Sequence, residues 1–370
     1  MGGTPDMPRL DMVENGIVVP LFRYFPPKVD LKQKSVVPGS FDGGVYDAAG
    51  RRQEIGDNCF LSHENVGPEE IEPASAETEL PGTWLYLGLL QTHHFGHFVS
   101  ESLSRFWAVD KAEGIDGVIY IGRYPNQPLR PYIAQIADWL APGLPQHRVN
   151  ARTRVERLIV PRAMRFPQGY LSGEGPNRAF FRDRVDALGP PEAPQPKRVF
   201  LSRSALPRED QQARFVLEKA FDDNLAAEGW TVVHPQTMPI RDQLRLYRDA
   251  DDLIFAEGSA FHLYVLAARS GQRVFNLWRR KRRHPVFARQ LDSFAGLPLL
   301  GESHVTHMFM RRDAPNMPAR ALSLVDFAAL GADLESHGLI TGRKWRVPTK
   351  AQIRRDIAEQ SREFDTAHPV

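Results

Sequence analysis

The residues 91–107, QTHHFGHFVSESLSRFW, place three histidines, a glutamate and an arginine close together. Imidazoles carry protons near neutral pH or bind metal ions. Glu101 stands four residues after His97, a spacing at which side chains on a helix touch. A carboxylate there orients the imidazole and raises its basicity, which suits a general base. At about 100° per residue, Phe95, Phe98, Val99, Leu103, Phe106 and Trp107 form a core-facing stripe, and His94, His97, Glu101 and Arg105 share a separate polar arc. That arc reads as a face for catalysis or ligand contact. The bland reading is the polar side of a surface helix. A metal-dependent hydrolase built on His93, His94, His97 and Glu101 is a third reading. No His-Glu-x-x-His spacing and no cysteine pair supports it, so no metal ligand is assigned.

A second group of residues follows short apolar runs. Arg203 comes directly after KRVFLS and Arg208 lies on the loop beyond; EGSAF follows DLIFA. Arginine forks match phosphate oxygens. Gly258 allows close backbone approach, Ser259 is placed to cap the next helix, and a helix N-terminus attracts anions. Together they describe a diphosphate pocket. Glu257 is placed to accept from ribose hydroxyls, as the acidic residue of dinucleotide sites does. His262 sits one turn on, with a packed core histidine as its bland reading. No G-x-G-x-x-G and no Walker A sequence occurs, which argues against a dinucleotide dehydrogenase or an NTPase.

Elements must hold these residues. TWLYLGLL, GVIYIG and VERLIVP read as strands, with helices over 91–107 and 129–142. After the Pro-rich GPPEAPQP, strands at 197–203, 230–235, 252–257 and 272–278 alternate with helices at 208–229, 238–251 and 259–271. This alternation predicts an α/β protein of two Rossmann-like domains facing across a cleft, with a helical C-terminal segment. The expected divisions are a loop- and strand-rich segment 1–80, a first α/β domain 81–188, a linker 189–196, a second domain 197–317 and helices over 318–370.

With 47 basic and 45 acidic residues, the chain has no general excess of positive charge for nucleic acid. Cys59 is the only cysteine, so an internal disulfide is excluded. The chain lacks a signal-peptide pattern and an apolar run of about 18 residues, so the expected location is cytoplasmic. The run WRRKRRHP concentrates Arg279, Arg280, Lys281, Arg282 and Arg283. It reads as a solvated loop or as peripheral contact with the inner membrane. The pairs Asp222 with Asp223 and Asp251 with Asp252 read as surface charge.

The order HHFGHFVSESLSRFW, RVFLSRSALPRED and GWTVVHPQTMPIRDQLRLYRDADDLIFAEGSAFHLYVLAARSGQRVFNLW resembles glycosyltransferase family 61, whose bacterial members are often called capsular polysaccharide biosynthesis proteins. The resemblance spans roughly 83–278. It implies a GT-B-like fold, a nucleotide-sugar donor as co-substrate and an inverting transfer to a glycan, polysaccharide or lipid-linked acceptor, with a divalent metal not favoured. It puts Arg203 on the donor diphosphate with Gly258 and Ser259 beside it, and His97 and Glu101 near the acceptor, with either His97 or Glu101 as the base and His94 and Arg105 on the acceptor side. Many members carry His-Gly-Ala-Gly-Asn where this chain has Glu257, Gly258, Ser259, Ala260 and Phe261. That difference motivates the alternative of a non-catalytic nucleotide- or glycan-binding protein on the same scaffold.

Overall fold

The computed structural model describes residues 8–21, 43–58, 67–122, 128–207 and 213–370, with the backbone alone of short strand segments between 24 and 41 and between 59 and 65. The chain divides into two compact units, Met1–Leu188 and Gly189–Val370. Each is α/β with parallel strands.

The first unit is built on a sheet of β1 (Leu10–Val19), β2 (Gly44–Tyr46), β3 (Thr78–Leu90), β4 (Gly117–Gly122), β5 (Gln146–Val149) and β6 (Thr153–Pro161), in the order β5-β4-β3-β6-β1-β2. The four strands β5, β4, β3 and β6 are parallel, and β1 and β2 extend the sheet antiparallel. The sheet is therefore mixed rather than purely Rossmann-like. The N-terminal region contributes a ten-residue strand to it, because Ile17, Val18 and Val19 are apolar enough to be fully covered. Chain order reverses between β3 and β6, so the carboxyl end of β3 is a topological switch point, where such sheets bind ligands. Helix α1 (Phe95–Glu101) starts there; α2 (Pro131–Leu140) and α3 (Asn177–Asp186) follow.

The expected helix over 91–107 stops at Glu101. Ser102 turns its hydroxyl to accept from the Gln91 N–H at 2.8 Å. The carbonyls of Ser100 and Ser104 accept from the N–H groups of Leu171 and Met164. Donors from outside have replaced the next helical turn.

The second unit has β7 (Arg198–Leu201), β8 (Arg214–Phe215), α4 (Glu218–Ala227), β9 (Thr231–Val233), α5 (Ile240–Asp249), β10 (Asp252–Ala256), α6 (Ala260–Ala267), β11 (Arg273–Leu277), α7 (Pro285–Ala295) and β12 (Leu299–Leu300). Strands β9-β7-β10-β11-β12 make an all-parallel sheet. Its central strands β7, β10 and β11 are largely buried on both faces, as parallel strands under helices must be; every residue of β10 is buried, while the edge strand β9 is not. One face packs Phe200, Ile254, Phe275 and Leu277 against Phe221, Leu225, Phe327 and Leu334. The order reverses between β7 and β10, which puts the ends at Leu201 and Ala256 at the second switch point.

The segment after 318 is part of this unit. Leu322–Val325 is a strand, β14, joining β13 (Val305–Phe309) and β8 in a small sheet. Helix α8 (Phe327–Ser336) begins only after Asp326, whose carboxylate accepts from the N–H groups of Ala328 and Ala329. Helix α9 (Lys350–Gln360) is opened by a capping box of Thr349 and Gln352. The expected helix from 208 is likewise shorter. Leu217 takes the left-handed conformation at φ +56° and ends the β8 segment just before α4.

Candidate active site

In the first unit, His94 caps α1 through its ring nitrogen, with the His97 N–H 3.4 Å from Nδ1. The two rings lie 4.8 Å apart between centroids. His97 Nδ1 lies 2.5 Å from Glu101 Oε1. The carboxylate side chain is only 3 % exposed and the imidazole 31 %. A ring nitrogen facing a carboxylate carries the proton, so the other nitrogen, Nε2, is the lone pair free to accept one. A polar cavity of about 10 Å³, at the lower limit for one water, lies behind Glu101 and is lined also by Ser102, Ser104, Arg105 and Arg165.

Arg105 is not on this face. Its guanidinium is buried, 3 % exposed, and donates to the carbonyls of Pro161, Ile55 and Asp57 at 2.9, 3.0 and 2.7 Å. It also packs over the Tyr86 ring. Gly88 makes the room: a Cβ there would fall 2.5 Å from Arg105 Nη1. The expected four-residue face is therefore His94, His97 and Glu101. Arg105 leaves it because the helix has already ended and its guanidinium finds three carbonyls and Asn58 inside. Beside it, burial pushes the Asp57 carboxyl up to about 6, against the pull of Arg52 and Arg105.

In the second unit, Arg203 leaves the end of β7 half-buried and donates to the carbonyls of Glu257 and Ala213. Gly258 lies against it: a Cβ there would meet Arg203 Cδ at 2.9 Å. Ser259 precedes α6 but makes no capping bond with its side chain, contrary to expectation, since its own backbone is already helical. His262 is held by Gln290, Nδ1 to Oε1 2.7 Å, and lies against Phe287. Arg208 lies outside the described residues.

Glu257 departs from its expected role. It is fully buried, and its carboxylate accepts from the Arg279 N–H at 2.8 Å and pairs with Arg280 at 2.9 Å. Its carbonyl accepts from both Arg203 and Arg279. An acid so enclosed gathers arginines rather than offering itself to a ribose. The basic run beyond β11 is accordingly divided. Arg279 is buried, Arg280 and Arg283 are half-buried, and Lys281 and Arg282 are exposed. Arg283 pairs with Glu302. Burial, then the Arg203 cation, pushes the Arg279 pKa down to about 10. Glu218, at the start of α4, is raised by burial against the pull of Arg203 and Arg279. Arg203, Arg279 and Arg280 thus outnumber Glu218 and Glu257, an excess of positive charge at the switch point. Arg279 and Arg280 were visible as a basic run directly after a strand end; what the sequence hid was that Glu257 draws two of its members inward.

The aspartate pairs split in the same way. Asp222 is buried and accepts from Ser202 and Ser204 at 2.6 and 2.5 Å, and Asp252 is held bidentate by Arg273. Asp223 and Asp251 are exposed. Among the described residues no group of three His, Cys, Asp or Glu is arranged to hold a metal ion, and no helix is long and apolar enough to cross a membrane.

Residues 95–274 match the family model Glycosyltransferase 61. The matched segment contains His97, Glu101, Arg203, Gly258, Ser259 and His262. The match supports glycosyltransferase family 61, and with it a glycosyltransferase as the class of enzyme. Among solved structures the chain is similar to the dodecameric iron-containing heptosyltransferase TibC in complex with ADP-D-beta-D-heptose, at 12 % identity over 95 % of this chain and 96 % of that one. The TM-score is 0.31, too slight a likeness to carry an argument. No curated protein matches.

Proposed function

We propose that the protein is an inverting glycosyltransferase that moves a sugar from a nucleotide-sugar donor to a hydroxyl of a glycan, polysaccharide or lipid-linked acceptor. In this reading the two units act as acceptor and donor halves of a GT-B-like enzyme. The observation that carries it is the pairing of a buried Glu101 carboxylate with the more exposed His97 imidazole at a strand-end switch point. His97 Nε2 takes the acceptor proton as the acceptor oxygen bonds to the anomeric carbon. The bond from that carbon to the diphosphate breaks on the opposite face, and configuration inverts. Glu101 offsets the imidazolium that forms, as the carboxylate of a nucleophile-base-acid triad does. Of the two candidate bases, His97 is favoured because Glu101 is shielded and already engaged.

The leaving diphosphate carries away negative charge, which fixed cations stabilise. Arg203, Arg279 and Arg280 supply it, and the N-terminus of α6 beyond Gly258 and Ser259 adds a partial positive charge. Because guanidinium groups carry this charge, transfer is expected to persist in a chelator. The proposed setting is the cytoplasm.

The test begins with a screen of nucleotide sugars for thermal stabilisation and for turnover with glycan acceptors. A donor so found should lose turnover in His97→Ala while still binding. If no nucleotide or nucleotide sugar stabilises the protein and Arg203→Ala changes nothing, the reading fails.

A further inference from the structure

A second concentration of positive charge lies far along the chain from these sites. Between 341 and 358, TGRKWRVPTKAQIRRDIA, there are six cations, Arg343, Lys344, Arg346, Lys350, Arg354 and Arg355, and one acid, Asp356. All six cations are exposed, and among the described residues none of their side chains makes a hydrogen bond or a close ion pair, though the Lys344 cation acts on the Glu228 carboxylate beneath it. The one acid is turned to other work: Asp356 accepts from the Leu217 N–H and from Gln360. This local excess exceeds the +2 of the whole chain, so the remainder is net acidic and the charge is concentrated here.

The segment is held in place from beneath. The buried Glu228 carboxylate accepts from the N–H and hydroxyl of Thr341 at 2.8 Å each and from the Lys344 N–H at 2.7 Å. Asn224 bonds both the N–H and the carbonyl of Arg346, at 2.8 and 2.9 Å. Between these two clamps Trp345 turns inward and donates to the Phe327 carbonyl at 2.8 Å. Gly331 leaves it space: a Cβ there would lie 2.6 Å from Trp345 Nε1. With the backbone tied and Trp345 inside, Arg343, Lys344 and Arg346 are presented outward. Val347, next to them and followed by Pro348, is 56 % exposed.

We propose that this loop and the first turns of α9 form a docking surface for an anionic phospholipid bilayer. Lysine and arginine side chains are attracted to lipid phosphates and acidic headgroups, and long basic side chains reach that level while their stems cover apolar surface. Val347 selects between polyanions: a bilayer interface receives an apolar side chain among cations, whereas an acidic polysaccharide offers it nothing. The surface is distinct from the basic run beyond β11, where Glu257 and Glu302 already occupy Arg279, Arg280 and Arg283.

The test is flotation of the full chain with phosphatidylcholine vesicles with and without phosphatidylglycerol. Binding only to the anionic vesicles, released by salt, is expected. The triple variant Arg343→Glu, Lys344→Glu, Arg346→Glu should lower the partition coefficient by about fivefold per cation lost, roughly a hundredfold together, with an unchanged melting temperature. Val347→Gln should weaken binding at constant charge. The control Lys281→Glu, Arg282→Glu should not. The proposal is overturned if the full chain ignores anionic vesicles, or if the control pair costs as much as the triple. It is also overturned if Val347→Gln has no effect while a soluble acidic polysaccharide binds as tightly as the vesicles.

Discussion

In the proposed transfer, Glu101 and His97 divide one task between a shielded carboxylate and an accessible ring. Glu101→Gln keeps the shape and removes the charge, so turnover should fall by about 10²–10⁴ with little change in donor affinity, measured as a split between kcat and KM. At the proposed donor residues, Gly258→Ala presses a methyl group against Arg203. Titration calorimetry should therefore show it weakening nucleoside diphosphate binding in the same direction as Arg203→Ala. Asp57 gives a pH test that needs no substrate. Its folded pKa of about 6 lies above the ordinary carboxylate value, so the folded state binds the proton more tightly. Its contribution to stability is fully present below about pH 4 and is lost as pH rises through about 6. Asp57→Asn should accordingly raise the melting temperature at pH 7.5 and change it little near pH 4. The sequence exposed the His97–Glu101 pair through spacing alone, because four residues on a helix are neighbours whatever surrounds them. It misassigned Arg105 and Glu257 because burial is decided by partners distant in sequence: Pro161 and Ile55 for one, Arg279 and Arg280 for the other.

The elements divide along the same line. Strands such as 117–122 and 252–256 were legible because an unbroken apolar run has few alternatives in an α/β chain. The helix expected over 208–229 and the helices expected over 318–370 were overextended, and a short strand, Arg214–Phe215 in one and Leu322–Val325 in the other, precedes the helix that forms. Leu322 and Arg214 are neighbours in that strand pairing, a contact between residues far apart that no local periodicity carries. Asp326, the N-cap residue directly before α8, was the available signal for the second boundary. Phe221 tests the element packing. It is fully buried and stacks on Phe327 at 4.7 Å between centroids, joining α4 to α8. Phe221→Ala should cost about 3–5 kcal/mol, read from denaturant midpoints, with the slope unchanged.

At the scale of the molecule, the Pro-rich segment expected as a linker coincides with the change of unit at Gly189. The prolines and glycine of 189–196 are a compositional feature that can be read without any knowledge of contacts. Each unit has its own sheet and its own apolar cluster, so a fragment comprising 189–370 should fold alone and unfold cooperatively, as circular dichroism would record. The positive charge at 343–355 belongs wholly to that fragment, which should therefore retain the vesicle binding of the full chain. The chain enters the second unit once and does not return, so each unit is one uninterrupted stretch of the chain. A peptide-ligation junction placed within 189–196 would join an isotopically labelled half to a silent one. Each candidate site could then be watched by nuclear magnetic resonance, in the intact protein, without signals from the other.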